Sequence, residues 1–168
     1  FSRWCYSPTS AMTEPAPPSL PRIEIFDHVE GALGDSLAKL EDCAREALAP
    51  CVAQPAQQGG EVPLALLDRV EISVIDDAAI AAVHSDFMDD PTATDVITFH
   101  HGEILVSYDT ARERAAEIGH ETLRELLLYV IHGLLHLNGH DDHETAERER
   151  MHRIQEGILD AVWPLPDS

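Results

Sequence analysis

The chain has 168 residues, of which 11 are Lys or Arg and 31 are Asp or Glu, and this gives a formal net charge of −20. Its length suits one domain with a single core, and 44% apolar with 25% charged residues is typical of a globular protein. No stretch approaches the roughly 18 consecutive apolar residues of a membrane span. The acidic surface also disfavours nucleic-acid binding except at a local patch.

The three cysteines are Cys5, Cys43 and Cys51, an odd number without a C-x-x-C pair. Neither a disulfide framework nor a cysteine-rich zinc ribbon fits this spacing, so we expect a reducing, cytoplasmic setting. Residues 1–21 are rich in Pro and Ser and lack the apolar core of a secretory signal. We therefore predict a loosely ordered tail, followed by one domain over residues 22–168.

The first half of this domain is predicted to alternate strands and helices. In chain order the patterns predict a strand at residues 22–26, a helix at 36–48, a loop at 53–61, a strand at 70–75 and a helix from 78 to about 83. Pro50 is expected to stop the first helix, and Asp76 or Asp77 is expected to cap the second. The loop is expected to have no chemical role.

The second half is predicted to place two strands ahead of three helices. The strands are residues 94–99 and 103–107, and the next two helices are expected to open at capping boxes, residues 110–113 and 122–125. Residues 123–137 are apolar nearly all round, which predicts a helix buried in the middle of the domain. Residues 144–162 have the pattern of a charged amphipathic helix.

Histidines are concentrated near the end of the buried helix. Five of the ten fall within one short stretch, namely His132, His136, His140, His143 and His152. His132 and His136 stand at i and i+4, so both imidazoles project from one helix face, as in helices that offer two nitrogens to one zinc ion. Because two polar rings in an apolar helix are costly without partners, a metal site is favoured over histidines satisfied by hydrogen bonds alone.

A third ligand is expected from the loop after Gly139, where the chain can leave the helix and fold back. In a continued helix His140 would lie about 12 Å from His132 along the axis, too far for one ion. Asp142 and His143 remain, and imidazole is preferred over carboxylate by zinc. We therefore predict one zinc ion per chain, held by His132, His136 and His143, with Asp142 as the alternative and the fourth position open to water.

Two neighbouring features bear on the chemistry. Gly133 follows His132, so the glutamate base of H-E-x-x-H metalloproteases is missing and peptide hydrolysis by that route is disfavoured. Asp141 and Asp142 are candidates to assist proton transfer, although acidic residues just ahead of a helix are more often its caps. The catalytic residues are otherwise not identified by the sequence.

Residues 132–143 read H-G-L-L-H-L-N-G-H-D-D-H and resemble the H-G-x-L-H-L-x-G-x-D-H signature of the YbeY family of zinc-dependent endoribonucleases. Further upstream, Asp90, Pro91, the T-D-V-I-T-F stretch at 94–99 and G-E-I at 102–104 resemble the strands of that family. The resemblance extends from about residue 22 to the C-terminus. It implies a single α/β domain with about four strands in a mostly parallel sheet and about five helices, one of them a central zinc-binding helix.

The resemblance also implies a function. Members of the family are single-strand-specific endoribonucleases of ribosomal RNA processing, including 3′-end maturation of the small-subunit (16S) RNA, and of ribosome quality control. The expected partners are ribosomal RNA or a ribosomal subunit, together with ribosome-associated proteins, in the cytoplasm. Zinc is expected to polarise a bound water or the phosphoryl oxygen.

The sequence departs from the family pattern at two places. Met88 stands where the family usually has an arginine for the RNA phosphate, so Arg112, Arg114 or Arg148 is expected to replace that contact. One residue is also added before the last histidine of the motif, so Asp142 keeps the family's spacing from the first. The alternatives are a zinc-supported ribosome-assembly factor with little catalysis and, less favoured, a metalloprotease-like hydrolase.

Overall fold

The computed structural model describes residues 20–56, 60, 62–88 and 94–163. Its strands and helices are β1 (Arg22–Asp27), α1 (Ser36–Val52), β2 (Arg69–Ile75), α2 (Asp77–Met88), β3 (Val96–Phe99), β4 (Glu103–Ser107), α3 (Tyr108–Ile118), α4 (Thr122–Leu137) and α5 (Thr145–Val162). A single turn of 3₁₀-helix, Pro63–Leu66, precedes β2. The predicted loose tail lies outside the described residues, except for residues 20 and 21.

The four strands form one sheet in the order β1-β2-β4-β3. β1, β2 and β4 are parallel, whereas β3 runs antiparallel to β4 at the edge. Ile72 of β2 pairs with Ile25 on one side and with Ile104 on the other, so branched side chains line up across the parallel strands. The predicted α/β domain with a mostly parallel sheet and five helices is confirmed.

Helices cover both faces of the sheet. On one face α1, α4 and α5 share a large apolar core with β1, β2 and β4. On the other face α2 inserts Ile80 against Ile97 of β3 and Leu105 of β4. α4 is buried on nearly all sides, as its sequence predicts, so the histidines near its end are held by a rigid central element.

Gly133 explains how closely α4 approaches the sheet. A β-carbon at this position would lie 2.8 Å from Cδ1 and Cγ2 of Ile104 in β4. A side chain at position 133 would force the Ile104 side chain to move, so glycine lets the helix lie directly against the strand. Gly133, which stands where H-E-x-x-H proteases have their glutamate, therefore has a packing role. It determines how close to the sheet the two histidines of α4 lie.

Pro50 does not end α1 as predicted. The helix continues to Val52, because proline in the last turn removes only one backbone hydrogen bond and Cys51 is fully buried against the core. The amide of Ala53 still donates to the carbonyl of Ala49 at 3.0 Å. Burial of the last turn thus outweighs the local cost of the proline.

The predicted helix caps need three corrections. Asp76 does cap α2, since its Oδ1 accepts from the Ala79 amide at 2.8 Å. α3 is capped by Ser107, not by Thr110, whose hydroxyl instead donates to Asp77 at 2.9 Å.

At α4 no side-chain cap forms, and Glu125 is buried instead of reaching back to the helix start. At α5 the capping position is Glu144, so neither Asp141 nor Asp142 has the predicted role of a cap.

No helix in the described part of the chain is both long enough and apolar enough to cross a membrane.

Candidate metal centre

Two histidine nitrogens face each other on the last turns of α4. His132 Nε2 and His136 Nε2 lie 3.0 Å apart. Nδ1 of His136 donates to the backbone carbonyl of His140 at 2.9 Å, so its proton is on Nδ1 and Nε2 carries a lone pair. Nδ1 of His132 likewise donates to Oε1 of Gln155 at 2.8 Å. Two lone pairs therefore point at the same space.

Asp142 brings a third acceptor atom to this pair. Its Oδ2 lies 3.5 Å from Nε2 of His132 and 3.6 Å from Nε2 of His136. The loop reaches this position because Gly139 adopts a φ of +95°, which reverses the chain directly after α4. His132, His136 and Asp142 thus form a compact group of possible metal ligands.

The group fits a zinc ion in both chemistry and spacing. Tetrahedral zinc with bonds of about 2.0–2.1 Å places its ligand atoms about 3.3 Å apart. The three separations of 3.0, 3.5 and 3.6 Å bracket that value. Three acceptor atoms at this distance repel one another unless a cation lies among them. Two imidazoles and one carboxylate leave a fourth position for water, as in catalytic zinc sites.

Burial prepares His136 for metal binding. Desolvation lowers the pKa of its imidazole, and the neighbouring His132 lowers it further, whereas Asp142 acts in the opposite direction. The neutral form, which is the form that binds a metal, therefore dominates at neutral pH.

The structure does not bring His143 to the pair. Its side chain is 85% exposed, and its Nε2 lies 3.3 Å from Oδ1 of Asp141. His140 is also turned away, because its Nε2 donates to the carbonyl of Gln54 at 2.6 Å. Since the reversal at Gly139 points Asp142 inward and the next residue outward, Asp142 replaces His143 as the third candidate ligand.

Residues that the sequence analysis missed hold this loop in place. Asn138 is fully buried, and its Nδ2 donates to the carbonyls of Cys51 at 2.9 Å and Gln54 at 3.0 Å. His140 is anchored to the same Gln54 carbonyl. The loop after α1 was predicted to have no chemical role, but its backbone positions both residues that flank Gly139. An asparagine just after a helix gives no sequence signal for partners so distant along the chain.

Gln155 is the second residue that the sequence analysis missed. It lies on α5, is 5% exposed, and accepts the Nδ1 proton of His132. Its Nε2 lies 3.4 Å from Nδ1 of His152, and this orientation leaves Oε1 free to accept from His132. A single glutamine in a largely charged and apolar helix was the only sequence signal for this role. Such partners fix the tautomer and the direction of a metal-binding imidazole.

Two connected cavities meet at the candidate ligands. A groove of about 470 Å³ runs from β3 to the loop after α4 and is lined by Thr94, Asp95, Val96, Ile97, Thr98, His100, His132, His136, Gly139, His140, Asp141, Asp142 and His143. We call it the metal groove. A smaller cavity of about 250 Å³, the side pocket, shares Asp95, Val96, His132 and Asp142 with it.

The three arginines expected to contact phosphate differ in position. Arg114 and Arg148 line the side pocket. Arg112 lies outside it, 3.5 Å from Asp109 and above the ring of Tyr108. Met88 ends α2, but its side chain lies outside the described part of the structure. Two of the three predicted cations are therefore beside the candidate metal centre.

Comparison with known proteins identifies the family of this fold and site. The family model described as endoribonuclease YbeY matches residues 35–162. A Streptococcus mutans endoribonuclease YbeY is 36% identical over 97 residues, covering 56% of this chain and 59% of that protein. The Geobacillus thermodenitrificans endoribonuclease YbeY is 32% identical over 158 residues, covering 82% of this chain and 94% of that protein.

A solved structure agrees with this result. The solution structure of a Thermotoga maritima protein covers 87% of this chain and 96% of its own, at 27% sequence identity and a TM-score of 0.53. The fold and the candidate metal centre define an α/β domain with a histidine-rich helix at its centre. The family match is more specific: the chain belongs to the endoribonuclease YbeY family.

Proposed function

We propose that this protein is a zinc-dependent endoribonuclease that cuts single-stranded RNA in ribosomal RNA processing, with 3′-end maturation of 16S RNA and ribosome quality control as its tasks. The observation that carries the proposal is the set of three acceptor atoms, on His132, His136 and Asp142, within 3.6 Å of one another in an open groove. Membership in the endoribonuclease family supplies the reaction class.

The ligands proposed for the zinc ion are His132, His136 and Asp142. When bound, zinc supplies a Lewis acid that stabilises negative charge on a phosphoryl group and acidifies a water. The chain's own residues orient the ligands: Gln155 holds the His132 ring, and the His140 carbonyl holds the His136 ring. Each imidazole therefore presents its unprotonated Nε2 to the same point.

Asp141 is the candidate for proton transfer. Its side chain is 47% exposed, lines the metal groove and accepts from the backbone amide of Asp142 at 2.8 Å. His143 lies beside it and can exchange a proton with it. The Asp141 carboxylate therefore lies next to the proposed ligands without being one of them. From there it can exchange a proton with a leaving oxygen or an attacking water.

The acidic surface restricts where RNA can lie. The chain carries a net charge of −20, so phosphate is repelled except near a bound divalent ion and near local arginines. Arg114 and Arg148 line the side pocket and are proposed to contact phosphate in place of the missing arginine at Met88.

The proposed partner is ribosomal RNA or a ribosomal subunit, with ribosome-associated proteins as further partners. The proposed location is the cytoplasm, where the free thiols of Cys43 and Cys51 stay reduced.

The test compares substrates with and without metal. Protein purified without nickel resin is assayed on single-stranded RNA, duplex RNA and casein, each beside a chelated control. We expect cleavage of single-stranded RNA alone, lost on chelation and in His136→Ala, and retained in the exposed control His101→Ala. Binding of ribosomal subunits without any RNA cleavage would favour the assembly-factor alternative, and cleavage of casein would favour a peptide hydrolase.

A further inference from the structure

The side pocket has the size and position of a subsite for one ring system. Its volume of about 250 Å³ lies below the roughly 300–1,000 Å³ of cavities that take drug-sized ligands. His132 and Asp142, two of the candidate metal ligands, form one of its walls. A group bound in this pocket would therefore be attached within one nucleotide of a phosphate at the metal.

Two buried polar side chains of α4 line the pocket one helical turn apart. Glu125 and Tyr129 are each only 3% exposed. The Tyr129 hydroxyl makes no hydrogen bond of good geometry among the described residues, and the Glu125 carboxylate is the group near enough to accept its proton. Burial raises the pKa of this hydroxyl, and the nearby charge of Glu125 raises it further, so the group stays protonated and remains a donor.

Among the described residues, neither Arg124 nor Arg114 forms its ion pair with the Glu125 carboxylate. Arg124 pairs with Asp160 at 3.9 Å, and Arg114 pairs with Asp95 at 3.9 Å. A buried carboxylate is costly unless donors satisfy its oxygens. Glu125, which can accept from the Tyr129 hydroxyl, still has acceptor capacity for a ligand that brings N–H groups.

The other walls suit a flat heterocycle. Leu128 and Met151 supply apolar surface on α4 and α5, while Arg114 and Arg148 supply positive charge. Such a combination accepts the faces of a base between apolar side chains and leaves its phosphate near a guanidinium.

We propose that the side pocket binds the guanine base of the nucleotide adjacent to the bond that is cut, with Glu125 accepting from N1–H and the N2 amino group and Tyr129 donating to O6. This rests on the proposed function as an endoribonuclease. Guanine is the only common base whose pairing edge has two adjacent donors beside an acceptor. Adenine places the acceptor N1, cytosine the acceptor N3 and uracil a carbonyl oxygen where Glu125 needs a donor, so each is repelled by the carboxylate.

The test measures binding of 5′-GMP, AMP, CMP and UMP to the zinc-loaded protein by calorimetry or NMR titration. We expect GMP to bind roughly tenfold more tightly than the other three, the size of discrimination given by one bidentate base contact. Glu125→Gln should remove most of this preference, whereas Glu117→Gln on the exposed face of α3 should keep it. Equal binding of GMP and AMP, or an unchanged preference in Glu125→Gln, would overturn the proposal.

A second variant covers the case in which Glu125→Gln does not fold. Tyr129→Phe removes only the hydroxyl, so it should keep the fold and its zinc but reduce the preference for GMP by a few-fold. A parallel assay uses RNA with inosine in place of guanosine, which lacks the N2 amino group. Nucleotide binding is independent of cleavage, so a guanine preference without RNA cleavage would refute the proposed function and leave the base pocket standing. RNA cleavage that shows no preference for guanine and no change with inosine would refute the base pocket and leave the proposed function standing.

Discussion

Oε1 of Gln155 lies 2.8 Å from Nδ1 of His132 and fixes which nitrogen of that ring faces the metal centre. Replacing Gln155 with Leu keeps the volume but removes the acceptor, so the ring loses its preferred tautomer. We predict that zinc affinity falls by about 10- to 100-fold, the usual effect of losing such a partner. Competition with a chromophoric chelator measures it.

Two controls separate positioning from general damage. Gln155→Glu restores an acceptor and should recover zinc affinity to the wild-type level or above. Gln54→Leu, on an exposed side chain, should leave affinity unchanged because only its backbone carbonyl is used. Equal zinc affinity in wild type and Gln155→Leu would show that the hydrogen bond has no influence on the ligand.

The third ligand is tested by neighbouring substitutions. Asp142→Ala should lose bound zinc, because Oδ2 is the only carboxylate oxygen of the ligand group. His143→Ala should keep one zinc per chain, since this side chain points into solvent. Asp142→His offers an imidazole at the same position and should also keep the metal. Elemental analysis that finds the opposite pattern in the two alanine variants would restore the sequence-based choice of His143.

The helix pair could be predicted from the sequence more readily than the third ligand, for a physical reason. The pair His132 and His136 was predictable because both lie on one helix, whose geometry fixes the distance between side chains four residues apart. The third ligand depends on the direction in which the chain leaves Gly139, and one residue more or less reverses which side chain points inward. Residue chemistry alone preferred imidazole over carboxylate, but the loop geometry favours Asp142.

The fold shows the same contrast between local and distant determinants. Apolar periodicity predicted the strands and the buried helix α4, because these patterns reflect local geometry. The hydrogen bonds of Asn138 to the last turn of α1 and to the loop after it join residues 87 and 84 positions apart. Gln155 likewise acts across from another helix. Such contacts exist only after the chain has packed, so neither spacing nor residue type could predict them.

Asn138 should matter for stability as well as for the site. Asn138→Ala removes the acceptor of the buried Leu64 amide. The carbonyl of Cys51 keeps only the Gln54 amide, and the carbonyl of Gln54 keeps only His140. We predict a loss of about 1–3 kcal/mol in the free energy of unfolding for the metal-free protein, the typical cost of a buried polar group left unpaired. Denaturant titration measures it, with Gln54→Leu as the control. Unchanged stability would contradict this role of Asn138 and would mean that water or a loop shift satisfies these backbone groups.

The arginines of the side pocket should govern RNA binding. Arg114→Ala and Arg148→Ala should each weaken binding of single-stranded RNA and reduce the slope of log affinity against log salt by about one. Arg112→Ala is the matched control, because Arg112 lies outside the pocket and pairs with Asp109. Fluorescence anisotropy at several salt concentrations gives the slopes. A larger loss of RNA affinity in Arg112→Ala than in Arg114→Ala would indicate that RNA binds on the other side of α3.

The most direct test titrates zinc into the metal-free protein and measures, at each point, both bound metal and the rate of cleavage of a fluorescent single-stranded RNA. We predict a rate that rises in proportion to bound zinc and stops rising at one equivalent per chain, with no such rise in His132→Ala. Full cleavage by the metal-free protein, or one bound zinc without any RNA cleavage, would contradict it.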